Sequence, residues 1–298
     1  NGENMTDDNL ITAMNQGEPK QTVTITTEID QFGIETGAIP YTVPLLKKSG
    51  RTFAGGNIVL KKRLDALASQ DSAKIDAWGN QYYDLADLCL TFEDEVKFQA
   101  DSPLLTGIRG VVETQDGLFV AIDAEYVTRA VKDMAHFKVS GSETVKYDLN
   151  DEQRTEIAQN VVLLRYVAPN YIELNANQFH SVNVESLRRK DMIIGRDMAQ
   201  DEIVKDGKVI HKAFSIYPAE LVVPLVKETF EYNKRIYNYD ANMGLYLLVS
   251  PLQDHAEMRA LCVCRLYYRS RLNGDYDIGF GNNRVVGVAS GCAAGAEK

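Results

Sequence analysis

The sequence predicts a mainly β protein: two tandem antiparallel β-sandwiches with a few short helices. Three observations carry this. About a dozen short apolar or alternating runs are separated by Gly, Pro, Asn and Asp turn signals, the rhythm of sandwiches and barrels. The regular strand–helix–strand alternation of a doubly wound fold is missing. Lastly, Ala260, Cys262, Cys264, Leu266, Tyr268, Ser270 and Leu272 fall at even positions, while Arg259, Arg265, Arg269 and Arg271 fall at odd ones. Successive side chains of a strand point to opposite faces, so Arg259–Leu272 reads as one long core strand with an apolar face and an arginine face.

The chain has 298 residues, is 45% hydrophobic and 25% charged, and carries a net charge of −10. That balance suits globular domains and argues against general coating of nucleic acid. No run of about 18 apolar residues offers a membrane span. Residues 1–20 are polar and aperiodic; they read as a mobile arm, with no secretory leader visible. The expected organisation is this arm, a first sandwich over 21–170, a second over 171–290 meeting it near Pro169, and a loose small-residue tail at 291–298. Cys89, Cys262, Cys264 and Cys292 read as free thiols of a reducing compartment, because residues two apart on one strand rarely meet disulfide geometry.

Along the chain, Val23–Ile29 is the first expected strand. Gly33, Gly37, Pro40 and Pro44 punctuate an extended connection, and Asn57–Arg63 reads as a strand. Ser69–Trp78 holds a short helix stopped by Gly79. Leu88–Ala100 alternates as one strand, with Leu88, Leu90, Phe92, Val96, Phe98 and Ala100 on one face. Ile108–Glu113 and Leu118–Ile122 form a hairpin across Gln115-Asp116-Gly117, since Asp and Gly tolerate the positive φ of a tight turn. Asp123 caps a helix over Ala124–Met134. Short strands follow at Phe137–Val139 and Val145–Leu149, a capping box at Asn150 and Gln153, and a β-branched strand at Val161–Ala168. Gln178–Leu187 and Lys208–Tyr217 are strand-like, with a hairpin around Asp206-Gly207. Leu221–Tyr239 reads either way: Leu221, Leu225 and Phe230 have helical spacing, but Pro224 interrupts them. Gly244–Leu252 precedes the arginine-bearing strand.

Few motifs point to chemistry. Gly279-Phe280-Gly281-Asn282-Asn283 lacks the third glycine and the helix of a dinucleotide loop, so a turn is expected. His255-Ala256-Glu257 followed by Cys262 and Cys264 is a poor match to a zinc-deaminase centre, because the thiols share a strand and a fourth ligand is not evident. They read as core cysteines. His136, His180 and His211 are scattered, and no nucleophile elbow, P-loop or His-Glu-x-x-His is present. Glu93, Asp94 and Glu95, like Asp275 and Asp277, read as solvated carboxylates, with calcium as the functional alternative. Lys61-Lys62-Arg63 and Arg188-Arg189-Lys190 are the basic runs, solvated or paired by default, with nucleic acid or anionic lipid as the alternative. The four arginines of 259–271 need carboxylates on an adjacent strand or subunit, which makes them the subunit-contact candidates.

Asn242-Met243-Gly244, an apolar strand ending in Val249-Ser250-Pro251, and Ala260 through Tyr267-Tyr268-Arg269-Ser270-Arg271 resemble the closing strands of double jelly-roll major capsid proteins of icosahedral viruses. Val161–Pro169 is similar to the strand that closes the first jelly roll there. The resemblance covers about a quarter of the chain. It implies two jelly-roll sandwiches side by side, a trimeric capsomer within a larger shell, and no enzymatic activity or cofactor. It also implies production in the host cytoplasm, residence in the virion with other virion proteins, and an arm reaching inward to membrane or genome. The competing expectations are a carbohydrate-binding or adhesin-like sandwich using Tyr166, Tyr171, Tyr237 and Tyr239, a tailed-phage-type virion protein, and an enzyme with a non-local site.

Overall fold

The computed structural model describes residues 32–92, 95–108, 110–114, 117–121, 136–138, 144–145, 162–163, 166–167, 176–183, 192–238, 243–247, 256–266, 270–274 and 283–289. The chain opens with β1 (Phe32–Thr36), α1 (Ile39–Lys48), β2 (Arg51–Phe53), α2 (Gly56–Ser69) and α3 (Ser72–Trp78). β3 (Tyr83–Phe92), β4 (Glu95–Gln99), α4 (Pro103–Gly107), β5 (Gly110–Thr114) and β6 (Gly117–Ala121) follow. The middle carries β7 (His136–Lys138), β8 (Thr144–Val145), β9 (Val162–Leu163), β10 (Tyr166–Val167), β11 (His180–Asn183) and β12 (Ile193–Ile194). Then come α5 (Gln200–Ile203), β13 (Val204–Lys205), β14 (Lys208–Val209), α6 (Ala219–Tyr237), β15 (Met243–Leu247), β16 (Ala256–Val263), β17 (Arg271–Gly274) and β18 (Arg284–Ala289).

The protein is mainly β, built on one mixed sheet of 16 strands, with β13–β14 as a separate pair. The sheet runs β1-β18-β3-β16-β10-β9-β6-β5-β7-β8, with β2, β4, β11, β12, β15 and β17 joined to its sides. Strands from both sides of residue 170 alternate in it. β18 lies between β1 and β3, β16 pairs with β3, and β11 pairs with β4. Sixteen of the described strands are thus hydrogen-bonded into one network, with strands from both halves of the chain interleaved in it.

Both faces of the central strands are buried. Leu85 and Cys89 of β3, Leu261 and Val263 of β16, and Val286 and Val288 of β18 join a core completed by α2, α3 and α6. Ala86, Leu88, Leu90, Met258, Ala260 and Val285 join a second core with Ile39, Val43 and Leu46 of α1 and Leu104 and Leu105 of α4. Period-2 alternation sends neighbouring residues of one strand into different cores, which is why Leu85–Leu90 is nearly continuous in apolar residues.

Several expectations are met. The Asp116-Gly117 hairpin is β5–β6, the Asp206-Gly207 hairpin is β13–β14, and α3 sits where the short helix was expected, capped by Asp71 and ended by Gly79. Others are corrected. Pro40 and Pro44 lie in α1, not in an extended connection; Pro40 is in its first turn, where a missing N–H costs little. Asn57–Arg63 is the first half of α2, not a strand: Val59, Leu60, Arg63, Leu64 and Leu67 bury one helical stripe. Leu88–Ala100 is not one strand but the end of β3 and β4 folded back on it. Val161–Ala168 is split into β9 and β10, which pair with each other. Lys208–Tyr217 is strand only at β14, then a 3-10 turn at Lys212–Phe214. Of Leu221–Tyr239, the residues through Tyr237 are helix, α6, with Pro224 inside it; Tyr239 lies outside the described residues. Arg259–Leu272 is not one strand either; β16 ends at Val263, and β17 returns antiparallel to it. Val23–Ile29 and Ala124–Met134 lie outside the described residues.

Candidate functional site

β16 and β17 are separate strands, so Arg259 and Arg271 lie on different strands. Arg259 is buried on β16, opposite Cys89 of β3. Arg265 lies beyond the strand end with its guanidinium 5.2 Å from the Tyr82 ring centroid. Arg271 opens β17 and stacks 4.6 Å from the centroid of Tyr246, which is 46% exposed on β15. Arg269 and the basic run Arg188, Arg189 and Lys190 lie outside the described residues, as do Asp94, Asp275 and Asp277. The other basic run is divided by the helix. Lys61 is exposed and pairs with Asp65 at 3.0 Å, Lys62 sits over the Phe32 ring, and Arg63 is buried.

Arg63 points inward because it shares the buried stripe of α2. Its Nη1 donates to the Cys264 carbonyl at 2.6 Å, its Nε to the Trp78 carbonyl at 3.0 Å, and its Nη2 to the Gln81 carbonyl at 3.4 Å. Burial pulls its pKa down to about 10, so it stays charged at neutral pH. The side chain ties α2 to the end of α3 and to the end of β16.

A second buried knot centres on Asp87, which β3 presents toward the start of α2. Its carboxylate accepts from the Gly56 N–H at 2.8 Å, the Asp101 N–H at 2.9 Å and the Tyr217 hydroxyl at 2.6 Å. Gly56 is the first residue of α2, so the carboxylate takes up one of the helix's unpaired N–H groups. Glycine is required there: a Cβ on Gly56 would collide with the Tyr217 ring and Asp87. Burial pushes the Asp87 carboxyl up to about 6, against the pull of its three donors. The Tyr217 hydroxyl is pushed well above its ordinary range by burial and by the Asp87 charge.

The sign of the resulting pH effect is fixed. Between its ordinary pKa and about 6, the folded Asp87 holds a proton that the unfolded chain has released, so its contribution to stability falls as pH rises through that window. Over the whole window the loss is on the order of 3 kcal/mol. Urea unfolding of wild type and Asp87→Asn should show the wild type's margin shrinking between about pH 4 and 7. Parallel pH profiles would refute the assignment.

The cysteines are buried free thiols where described, namely Cys89, Cys262 and Cys264. No group of three or more His, Cys, Asp or Glu side chains able to hold a metal occurs among the described residues. A hydrogen bond from Cys262 and the neighbouring Arg271 hold the Cys264 thiol down to about 7, while that bond and burial push Cys262 well up. Asn283 donates to Asp84 at 2.7 Å and lies 3.6 Å from the Cys262 sulfur, so the end of the former loop candidate is a buried clamp.

Among the described residues, a groove of about 310 Å³ lies open beside α6. Val223, Val226, Lys227, Phe230 and Glu231 recur on one face of that helix; Val226 and Phe230 are themselves buried and join the core with Leu221, Val222 and Leu225. The opposite wall is Arg196 and Met198 from the segment entering α5 and Ile203 at its end. The floor is apolar and the rim carries Arg196, Lys227 and Glu231. Sequence reading missed this groove because it needs two segments that only the fold brings together.

No family model matches the chain, and no curated protein matches it. A solved structure described as "Accommodation of massive sequence variation in Nanoarchaeota by the C-type lectin fold" aligns over 90% of this chain and 98% of its own, at 13% identity and a TM-score of 0.44. A likeness at that level assigns neither a fold family nor a function to this chain.

Proposed function

We propose that the protein is a structural subunit that associates with copies of itself, a virion shell protein being the specific form of that reading. The observation that carries it is the groove beside α6, whose apolar floor and mixed-charge rim suit an interface core surrounded by ion pairs that set register. The buried knots support it differently: Arg63 and Asp87 are committed to holding helices against the sheet. The proposal does not require two tandem jelly rolls; the single mixed sheet is the scaffold.

Mass photometry and negative-stain microscopy at micromolar concentration and low salt test it. Oligomers or uniform particles are expected. Val223 is half-buried in the groove wall, so Val223→Glu should leave the fold intact and weaken association at least about tenfold by placing a charge in the apolar contact. A strict monomer under all conditions, or association unchanged in the variant, would sink the reading. The exposed Tyr246 ring favours a second reading, a carbohydrate-binding surface. Glycan-array binding that disappears in Tyr246→Ala would select it.

A further inference from the structure

Beneath α2 and α6 lies a hollow of about 10 Å³, the space of one water-sized particle. Its walls are largely apolar: Leu60, Phe214, Leu225, Met243, Val263 and Leu272. Four polar residues complete the lining, and they are unequal. Arg63 spends its donors on carbonyls, and Ser270 donates to the Leu266 carbonyl while accepting from Asn233. Thr229 Oγ1 and Arg271 Nε, by contrast, are buried with no partner. Thr229 is fully buried.

We infer that this hollow is a binding site for a single monatomic anion, chloride in most solutions, held by Thr229 and Arg271. Three features select that ligand. Charge is the first: two guanidinium groups border the hollow, no carboxylate lines it, and Arg63 is met by neutral carbonyls. A buried cation without a counter-charge is costly, and an anion offsets that cost. Donor balance is the second. Both unpartnered lining atoms can donate, and a halide accepts from both; the buried acceptor Asn233 Oδ1, also without a partner, is not among the lining residues. Size is the third: about 10 Å³ has no room for phosphate, sulfate or a carboxylate ligand. The nearest group able to compete is the Cys264 thiol, which already lies against the Arg271 guanidinium.

The site ties α6 to the first residue of β17, so occupancy should stabilise the folded chain by mass action. Thermal unfolding of the full chain is compared in sodium chloride and sodium gluconate at equal ionic strength, with a second readout from bromide anomalous scattering in crystals. Chloride should raise the midpoint saturably by about 2–3 °C over gluconate. Thr229→Val, which removes the hydroxyl at constant volume and charge, should need at least tenfold more chloride for the same shift. A bromide peak between Thr229 and Arg271 should appear. Identical midpoints in the two salts with no bromide peak would overturn the inference and leave a water in the hollow. A chloride response unchanged in Thr229→Val, with bromide elsewhere, would overturn it too. Neither readout depends on self-association.

Discussion

Asp87→Ala is expected to lower stability by about 3–5 kcal/mol at pH 7, the largest single effect anticipated for this chain. The substitution removes one acceptor and strands three donors at a site that is 1% exposed: the Gly56 and Asp101 N–H groups and the Tyr217 hydroxyl. Each belongs to a different segment, so the start of α2, the turn before α4 and the approach to α6 loosen together. Asp87→Asn keeps an oxygen but turns an amide toward donors, and should cost less. Tyr217→Phe removes one bond and should cost about 1 kcal/mol. Urea unfolding followed by fluorescence of Trp78 reads all three. An Asp87→Ala variant within about 1 kcal/mol of wild type would mean that water replaces the carboxylate and that the knot holds nothing.

Arg63→Met should cost about 3 kcal/mol, while Lys61→Ala, two residues earlier on the same helix, should cost under about 0.5 kcal/mol. Methionine keeps the apolar stem but leaves the carbonyls of Trp78 and Cys264 without their donor. Lys61 makes an exposed i, i+4 pair with Asp65, screened by solvent. The same denaturation series compares them, and similar costs at the two positions would contradict the inward placement of Arg63.

What the sequence made legible follows from how local each signal is. The hairpins at Asp116-Gly117 and Asp206-Gly207 rest on turn chemistry decided within a few residues, and the structure has both. The Gly79 stop of α3 is equally local. Asn57–Arg63 misled because seven residues are too few to separate a helical period from a strand; extending the window to Leu64 and Leu67 exposes the helical stripe. Arg259–Leu272 misled for the opposite reason. The apolar–arginine alternation runs on along the sequence past the end of β16, but the pairing of Val263 with Leu272 and of Cys262 with Asn273 inverts which parity faces which side, so residues of two strands read as one. The site residues were hidden differently. Asp87 stands alone as a charge inside Leu85-Ala86-Asp87-Leu88-Cys89-Leu90, and a carboxylate in a doubly buried strand is itself a signal of a buried knot. Its donors lie 14, 31 and 130 residues away, distances that no pattern along the chain encodes. The groove and the hollow beneath α2 are likewise products of packing.

The place of β18 governs how this molecule comes into being. Its partner on one side is β1, in register from Phe32 with Val288 to Thr36 with Arg284, and on the other it meets β3 and β2. Roughly 200–250 residues separate these partners in the chain, and ribosomes deliver about 5–20 residues per second. β1 and the adjoining edges of β2 and β3 thus wait on the order of 10–50 s for the segment that pairs with them. Contacts of such sequence separation also close slowly once the chain is complete, because loop entropy is lost before the strand pairing repays it. During that interval the nascent chain presents the open edge of β1, Ile34 included, to every neighbouring chain. Yield on overexpression should therefore depend on synthesis rate and on holding chaperones more steeply than the stability of the finished fold would suggest.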